Sequence, residues 1–184
     1  MNSQHFASVA QFTRGSGLNF GQIEIPMKNI SLEKDVAAHP FLLGLSEDQI
    51  RLLADCALRT HFERDQVIFR EGEAANRFYL IETGQVVLES AGNGEKPVTI
   101  DTIGAGDLLG WSWLFPPYVW HFQARAVEPT EAIFFYGTVL REYCEKDPAL
   151  GFELLKRMSE VMTRRLQATR GRLLKVQKLA DRGK

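Results

Sequence analysis

Between Arg59 and Tyr136 the chain breaks into short runs of β-forming residues, each ended by a turn residue, and this rhythm restricts the fold more than any other feature. The runs are Thr60–Phe62, Gln66–Phe69, Phe78–Glu82, Gln85–Glu89, Val98–Ile103, Gln123–Val127 and Glu131–Tyr136. Gly72, Thr83-Gly84, Gly92-Asn93-Gly94 and the Gly104/Gly106 pair fall between them, where a backbone with positive φ is wanted. Seven or eight short strands at this spacing argue for a β structure. They predict a mainly β protein with flanking helices, its strands forming a closed or double-sheet structure such as a jelly roll.

The flanks have other periods. Residues 1–30 show neither a strand nor a helix pattern and read as a flexible arm, in which Ile23, Ile25 and Met27 could add an edge strand limited by Pro26. Ser46 and Gln49 have the spacing of a capping box, Leu45 and Ile50 that of a hydrophobic staple. Ile50, Leu53, Ala54 and Ala57 then form one apolar face, predicting a helix that ends near Leu58. Asp147-Pro148 starts a second, much longer helix, Asp as cap and Pro at the first helical position. Its residues Leu155, Met158, Met162, Leu166, Thr169, Leu173, Val176 and Ala180 follow spacings of three and four, close to a heptad seam. About 33 residues at roughly 1.5 Å each extend some 50 Å, too far for a small β domain to cover, so the seam predicts a homodimer. The chain thus divides into an arm (1–30), a β domain with flanking helices (31–146) and a long basic dimerisation helix and tail (147–184).

Charge is distributed unevenly. From Lys156 to Lys184 ten Lys or Arg stand against Glu160 and Asp181, a net of +8, although the whole chain carries −1. The tail therefore suits an acidic protein surface, its own or another's, better than a groove-reading role, since one basic helix face has no second element for sequence-specific DNA contact. No apolar run reaches membrane-spanning length, and the amino terminus lacks a secretory pattern, which predicts a cytoplasmic protein. Cys56 and Cys144 have no CxxC or Cys/His spacing and read as small buried hydrophobes.

Residues 104–126, GAGDLLGWSWLFPPYVWHFQARA, together with REGEAANRFYLIETGQVVLE from Arg70, resemble the cyclic-nucleotide-binding domain of the catabolite-activator and Fnr-like regulators over roughly residues 40–180. The resemblance implies a double-stranded β-helix (jelly roll) with amino-terminal helices, a long carboxy-terminal dimerisation helix and a loop that cradles a cyclic phosphate. Gly106, Asp107, Leu108, Leu109 and Gly110 keep the frame of that loop, but Trp111 stands at the position resembling the family's Glu. The family's Arg falls on Trp120, or on His121 with a one-residue gap. The helix-turn-helix domain of those regulators has no room before Lys184. Gly106, Asp107, Leu108, Gly110, Trp111, Ser112, Trp120, His121 and Arg125 are the pocket candidates. Arg125 is the nearest fixed cation, and Asp107 reads first as a turn or cap residue.

Binding a cyclic nucleotide needs a cation for the phosphate and an acceptor for the ribose hydroxyl. Here both positions carry rings. Trp111, Trp113, Phe115, Tyr118, Trp120 and Phe122 place six of the chain's nineteen aromatic residues within twelve positions. They fill the former cavity, line it for a flat or apolar ligand, or form an interface patch. His5, His39, His61 and His121 are scattered singly, and no metal or nucleophile motif is visible, so neither a metal, a cofactor nor an enzymatic activity is expected. The reading that follows is a non-enzymatic regulatory or adaptor module that does not bind cAMP or cGMP in the usual way. A sensor of a different small molecule and a nucleic-acid-associated regulator acting through the basic helix are the alternatives.

Overall fold

The computed structural model describes residues 30–90 and 97–182. The expected arm and its edge strand, and the Gly92-Asn93-Gly94 turn, lie outside the described residues. Helix α1 (Ile30–Ala38), a 3-10 turn (Pro40–Leu42) and helix α2 (Glu47–Ala54) precede eight strands. These are β1 (Ala57–Phe62), β2 (Val67–Phe69), β3 (Arg77–Thr83), β4 (Gln85–Ser90), β5 (Val98–Gly104), β6 (Leu108–Leu109), β7 (Gln123–Ala126) and β8 (Thr130–Tyr136). Helices α3 (Gly137–Lys146) and α4 (Pro148–Arg182) follow. One sheet has the order β1-β8-β3-β6, the other β2-β7-β4-β5, with antiparallel pairs throughout. The two enclose an interior of Phe62, Tyr79, Ile81 and Leu109 from the first sheet and Phe69, Val86, Leu88, Ile103, Ala124 and Ala126 from the second. This is the expected jelly roll.

Side-chain alternation along β3 shows how the layers are built. Tyr79 and Ile81 point into the roll, while Phe78 and Leu80 point the other way into a second core beneath the helices. That second core takes Leu32 and Val36 from α1, Ile50 and Leu53 from α2, Leu140 from α3 and Leu150, Leu154, Met158 and Val161 from α4. At the β3–β4 turn Gly84 has φ +88°, and any Cβ there would collide with the Pro129 and Thr130 backbone, so glycine is required.

Several element boundaries depart from the sequence reading. The capping box of α2 forms as expected, Gln49 N–H donating to Ser46 Oγ at 3.3 Å and Ser46 N–H to Gln49 Oε1 at 3.2 Å. The helix stops at Ala54, however, and Ala57 already pairs with Phe135 across β1 and β8 rather than extending the helix to Leu58. Alanine by itself favours helix, and pairing with β8 overrides that local preference here. Helix α3 lacks a side-chain cap, Tyr136 standing at that position, and carries no start signal. Asp147 does cap α4, its Oδ1 accepting from Ala149 and Leu150 N–H at 3.1 Å.

The proposed seam needs one correction. Met158 is fully buried in its own chain's core with Leu150, Leu154 and Val161, so it cannot face a partner helix. Met162 packs partly against the same core. Leu155, Leu166, Leu173 and Val176 are exposed, as is Thr169. A residue three or four positions from its neighbours fits either of two adjacent stripes on one helix, and only packing decides between them.

Candidate functional site

The loop between β5 and β7 carries the candidates to different places. Gly106 packs on Pro40. Asp107 acts as a turn residue: its carbonyl accepts from Ile81 N–H at 3.0 Å, and its Oδ2 lies 3.4 Å from Gly104 N. Leu108 turns its side chain into the helix-side core and Leu109 turns into the roll. Ser112 and Trp113 are buried, Trp113 in the helix-side core, where its indole N–H has no partner. Phe115 and Tyr118 are exposed, with the Arg141 guanidinium 4.5 Å from the centre of the Tyr118 ring.

Trp120 returns to the interior. Its backbone is locked by two hydrogen bonds to the segment before β3, Trp120 N–H to the Glu73 carbonyl at 2.9 Å and Gly72 N–H to the Trp120 carbonyl at 2.8 Å. The indole stacks on Phe69 with ring centres 3.8 Å apart and planes inclined by 12°. On another side it presses against Gly110, where a Cβ would lie 2.8 Å from the ring. Gly110 has φ +86°, so glycine serves both the backbone turn and the close approach of the ring. Here the aromatic-filling reading describes Trp120, while Trp111 and Trp113 lie on the helix side.

Neither remaining cation candidate reaches this interior. His121 is exposed. Arg125 lies between Ala124 and Ala126, both fully buried inside the roll, so the alternation of β7 turns its side chain outward. There it donates to Glu89 through Nε at 3.2 Å and again through a second guanidinium nitrogen, and to Asp65 at 3.1 Å. The Arg125 guanidinium, helped by Gln123, holds the Glu89 carboxyl below its usual range despite burial. This is an outer-face ion pair rather than a ligand contact.

One basic residue of the tail, absent from the pocket candidates, reaches the loop. Arg165 of α4 places its guanidinium 5.0 Å from the centre of the Trp111 ring, donates to the Leu108 carbonyl and lies 3.6 Å from Asp101. Burial lowers its pKa from the ordinary arginine value, while Asp101 and Asp107 act in the opposite direction. Arg164 approaches Asp107 at 3.7 Å, and Arg172 pairs with Asp101 at 3.0 Å and donates to the Ile100 carbonyl at 2.7 Å. Three cations of the +8 segment thus meet acidic groups of their own chain. A sequence signal existed: Leu154, Met158, Val161 and Arg165 are spaced four, three and four, which puts Arg165 on the buried stripe of α4. Among the described residues no group of three His, Cys, Asp or Glu is placed to hold a metal ion, and no helix is long and apolar enough to cross a membrane.

The loop frame runs through the edge strand β6 of the first sheet, beside the amino-terminal turn and α4. Residues 59–147 match the model of the cyclic nucleotide-binding domain. The chain contains a cyclic nucleotide-binding domain related to the CRP/FNR regulators. It is 28% identical over 118 residues to the anaerobic regulatory protein of Bacillus subtilis, covering 62% of this chain and 49% of that one. It is 25% identical over 130 residues to the CRP-like cAMP-activated global transcriptional regulator of Mycobacterium tuberculosis, covering 71% and 56%. The chain therefore spans about half the length of these curated relatives. The crystal structure of a cyclic nucleotide-binding domain from Methylobacillus flagellatus shares the fold, with a TM-score of 0.66 at 22% identity over 78% of this chain and 80% of that one.

Proposed function

We propose that this chain is a non-enzymatic regulatory or adaptor module whose β-roll does not take cAMP or cGMP in the manner usual for its family. The observation that carries the reading is the Trp120 indole, stacked on Phe69 and pressed against Gly110 in the interior of the roll. Trp120 or the exposed His121 falls where the resemblance puts the phosphate-binding Arg, and Arg125 is turned outward and engaged by Glu89 and Asp65. A cyclic phosphate entering this interior would lose water without gaining a cation. The missing charged contact costs about 2–5 kcal/mol, tens to thousands of fold in affinity. The reading includes a homodimer formed through exposed α4 positions. Pairing of Arg164, Arg165 and Arg172 with Asp101 and Asp107 favours a protein-facing role over DNA binding by leaving fewer cations for phosphates.

Isothermal titration calorimetry of the full chain with cAMP and cGMP tests the proposal. No saturable binding at micromolar ligand is expected. A submicromolar dissociation constant would overturn it, and the Trp111→Glu, Trp120→Arg double substitution is the variant in which binding should be sought.

A further inference from the structure

His39 is buried beneath the helices, and both ring nitrogens are engaged. Nδ1 accepts a hydrogen bond from Phe41 N–H at 3.2 Å, and Nε2 lies 3.4 Å from the Ile81 carbonyl oxygen, which can only accept. The two contacts together require a neutral ring with its proton on Nε2.

Each contact leads to α4. Phe41 belongs to the 3-10 turn, and Arg157 of α4 donates to the carbonyls of Phe41 at 2.9 Å and Leu43 at 2.7 Å. On the other side, the Ile81 carbonyl also accepts from Gly106 N–H at 2.8 Å, and Ile81 N–H donates to the Asp107 carbonyl. The Asp107 carboxylate meets Arg164, and the next carbonyl, that of Leu108, receives Arg165. The imidazole therefore ties together the turn that holds Arg157 and the turn that holds Arg164 and Arg165.

We propose that His39 is a pH-operated pin that keeps α4 seated on the β-roll and lets its Arg165 contact loosen when the ring takes up a second proton. The added hydrogen would sit on Nδ1 and face Phe41 N–H, placing two donors against each other where a donor and an acceptor now meet. The 3-10 turn must then shift, carrying away the acceptors of Arg157. The charges around the ring have defined places: Asp107 faces it from the β5–β6 turn, and Arg157, Arg164 and Arg165 approach the two connected turns from α4. Burial is the largest influence and keeps the ring neutral below the ordinary value of 6.5, while the Ile81 carbonyl and Asp107 oppose it. The sign follows. The ring gains proton affinity on release, so the pinned state is fully favoured above about pH 6.5 and gives way as pH falls.

The test uses the full chain. The His39 ring is titrated by NMR, with exposed His61 as an internal reference, and acrylamide quenching of Trp111 emission is measured across the same pH range. A Trp111→Phe variant subtracts the signal of the buried Trp113 and Trp120. Quenching of Trp111 should rise on acidification with the midpoint of the His39 titration, while far-ultraviolet circular dichroism stays unchanged. In His39→Asn, whose side-chain oxygen can still accept from Phe41 N–H but does not titrate, the rise should be lost. The proposal is overturned if His39 titrates without change at Trp111, if the rise persists in His39→Asn, or if it appears only with global unfolding. Should that variant fail to fold, the wild-type comparison of the two midpoints still decides.

Discussion

Replacing Trp120 by alanine should cost much more stability than the same truncation at Trp111, its neighbour in the loop. A buried aromatic side chain removes roughly 150–250 Å² from water, worth on the order of 4–6 kcal/mol at about 25 cal/mol per Å². Part of that burial persists in the denatured chain and alanine retains a methyl group, which lowers the figure. The wall cannot collapse easily, because Phe69 and Gly110 belong to opposite sheets or their connections and Trp120 itself is fixed by backbone bonds on both sides. The net loss should be about 3–5 kcal/mol, the range found when large aromatic residues are cut from cores. Trp111→Ala provides the comparison: its ring is half-buried under Arg165, and the loss should be about 1–2 kcal/mol. Urea unfolding of the three proteins at one fixed concentration measures both, since any dimer adds a concentration-dependent contribution. A Trp120→Ala loss below about 1 kcal/mol, or a larger loss for Trp111→Ala, would refute the argument that Trp120 fills the roll.

Leu166→Glu or Leu173→Glu should convert a dimer to a monomer by light scattering without unfolding it, whereas Met158→Glu should unfold the chain because that side chain lies in its own core. A wild-type monomer at tens of micromolar would remove the dimer from the proposal. Glu89→Gln should cost about 1–3 kcal/mol at neutral pH by leaving Arg125 short of a charged partner, discounted because Arg125 is partly exposed. Since Arg125 lowers the folded-state value of Glu89, the stabilisation is complete above the ordinary value of 4.5 and is lost as pH falls through the lowered one. The acid limb of the stability profile should therefore be shallower in the variant, and an unchanged limb would reject the assignment.

The strand rhythm of residues 59–136, the capping box at Ser46 and the Asp147-Pro148 start of α4 were legible because each depends on neighbours within a few positions. Local spacing and backbone chemistry determine them before any tertiary contact forms. The loop could be read in outline for the same reason: of the Gly104/Gly106 pair expected to turn the chain, Gly106 takes a positive φ and Gly104 does not. What the loop does with its side chains was decided elsewhere. Trp120 and Trp113 are alike in sequence, yet one stacks inside the roll and the other lies under the helices, because the chain crosses between layers in the exposed turn at Phe115–Tyr118. Arg125 looked like a pocket cation until strand alternation between two interior alanines turned it outward. Met158 looked like a seam residue until packing put it in the core, and Arg165 was one of ten basic residues in the tail until α4 crossed Trp111. Periodicity names the faces of an element, but the pairing of faces is a long-range event, settled only when sheets and helices compete for the same apolar surface and the buried charges find their partners.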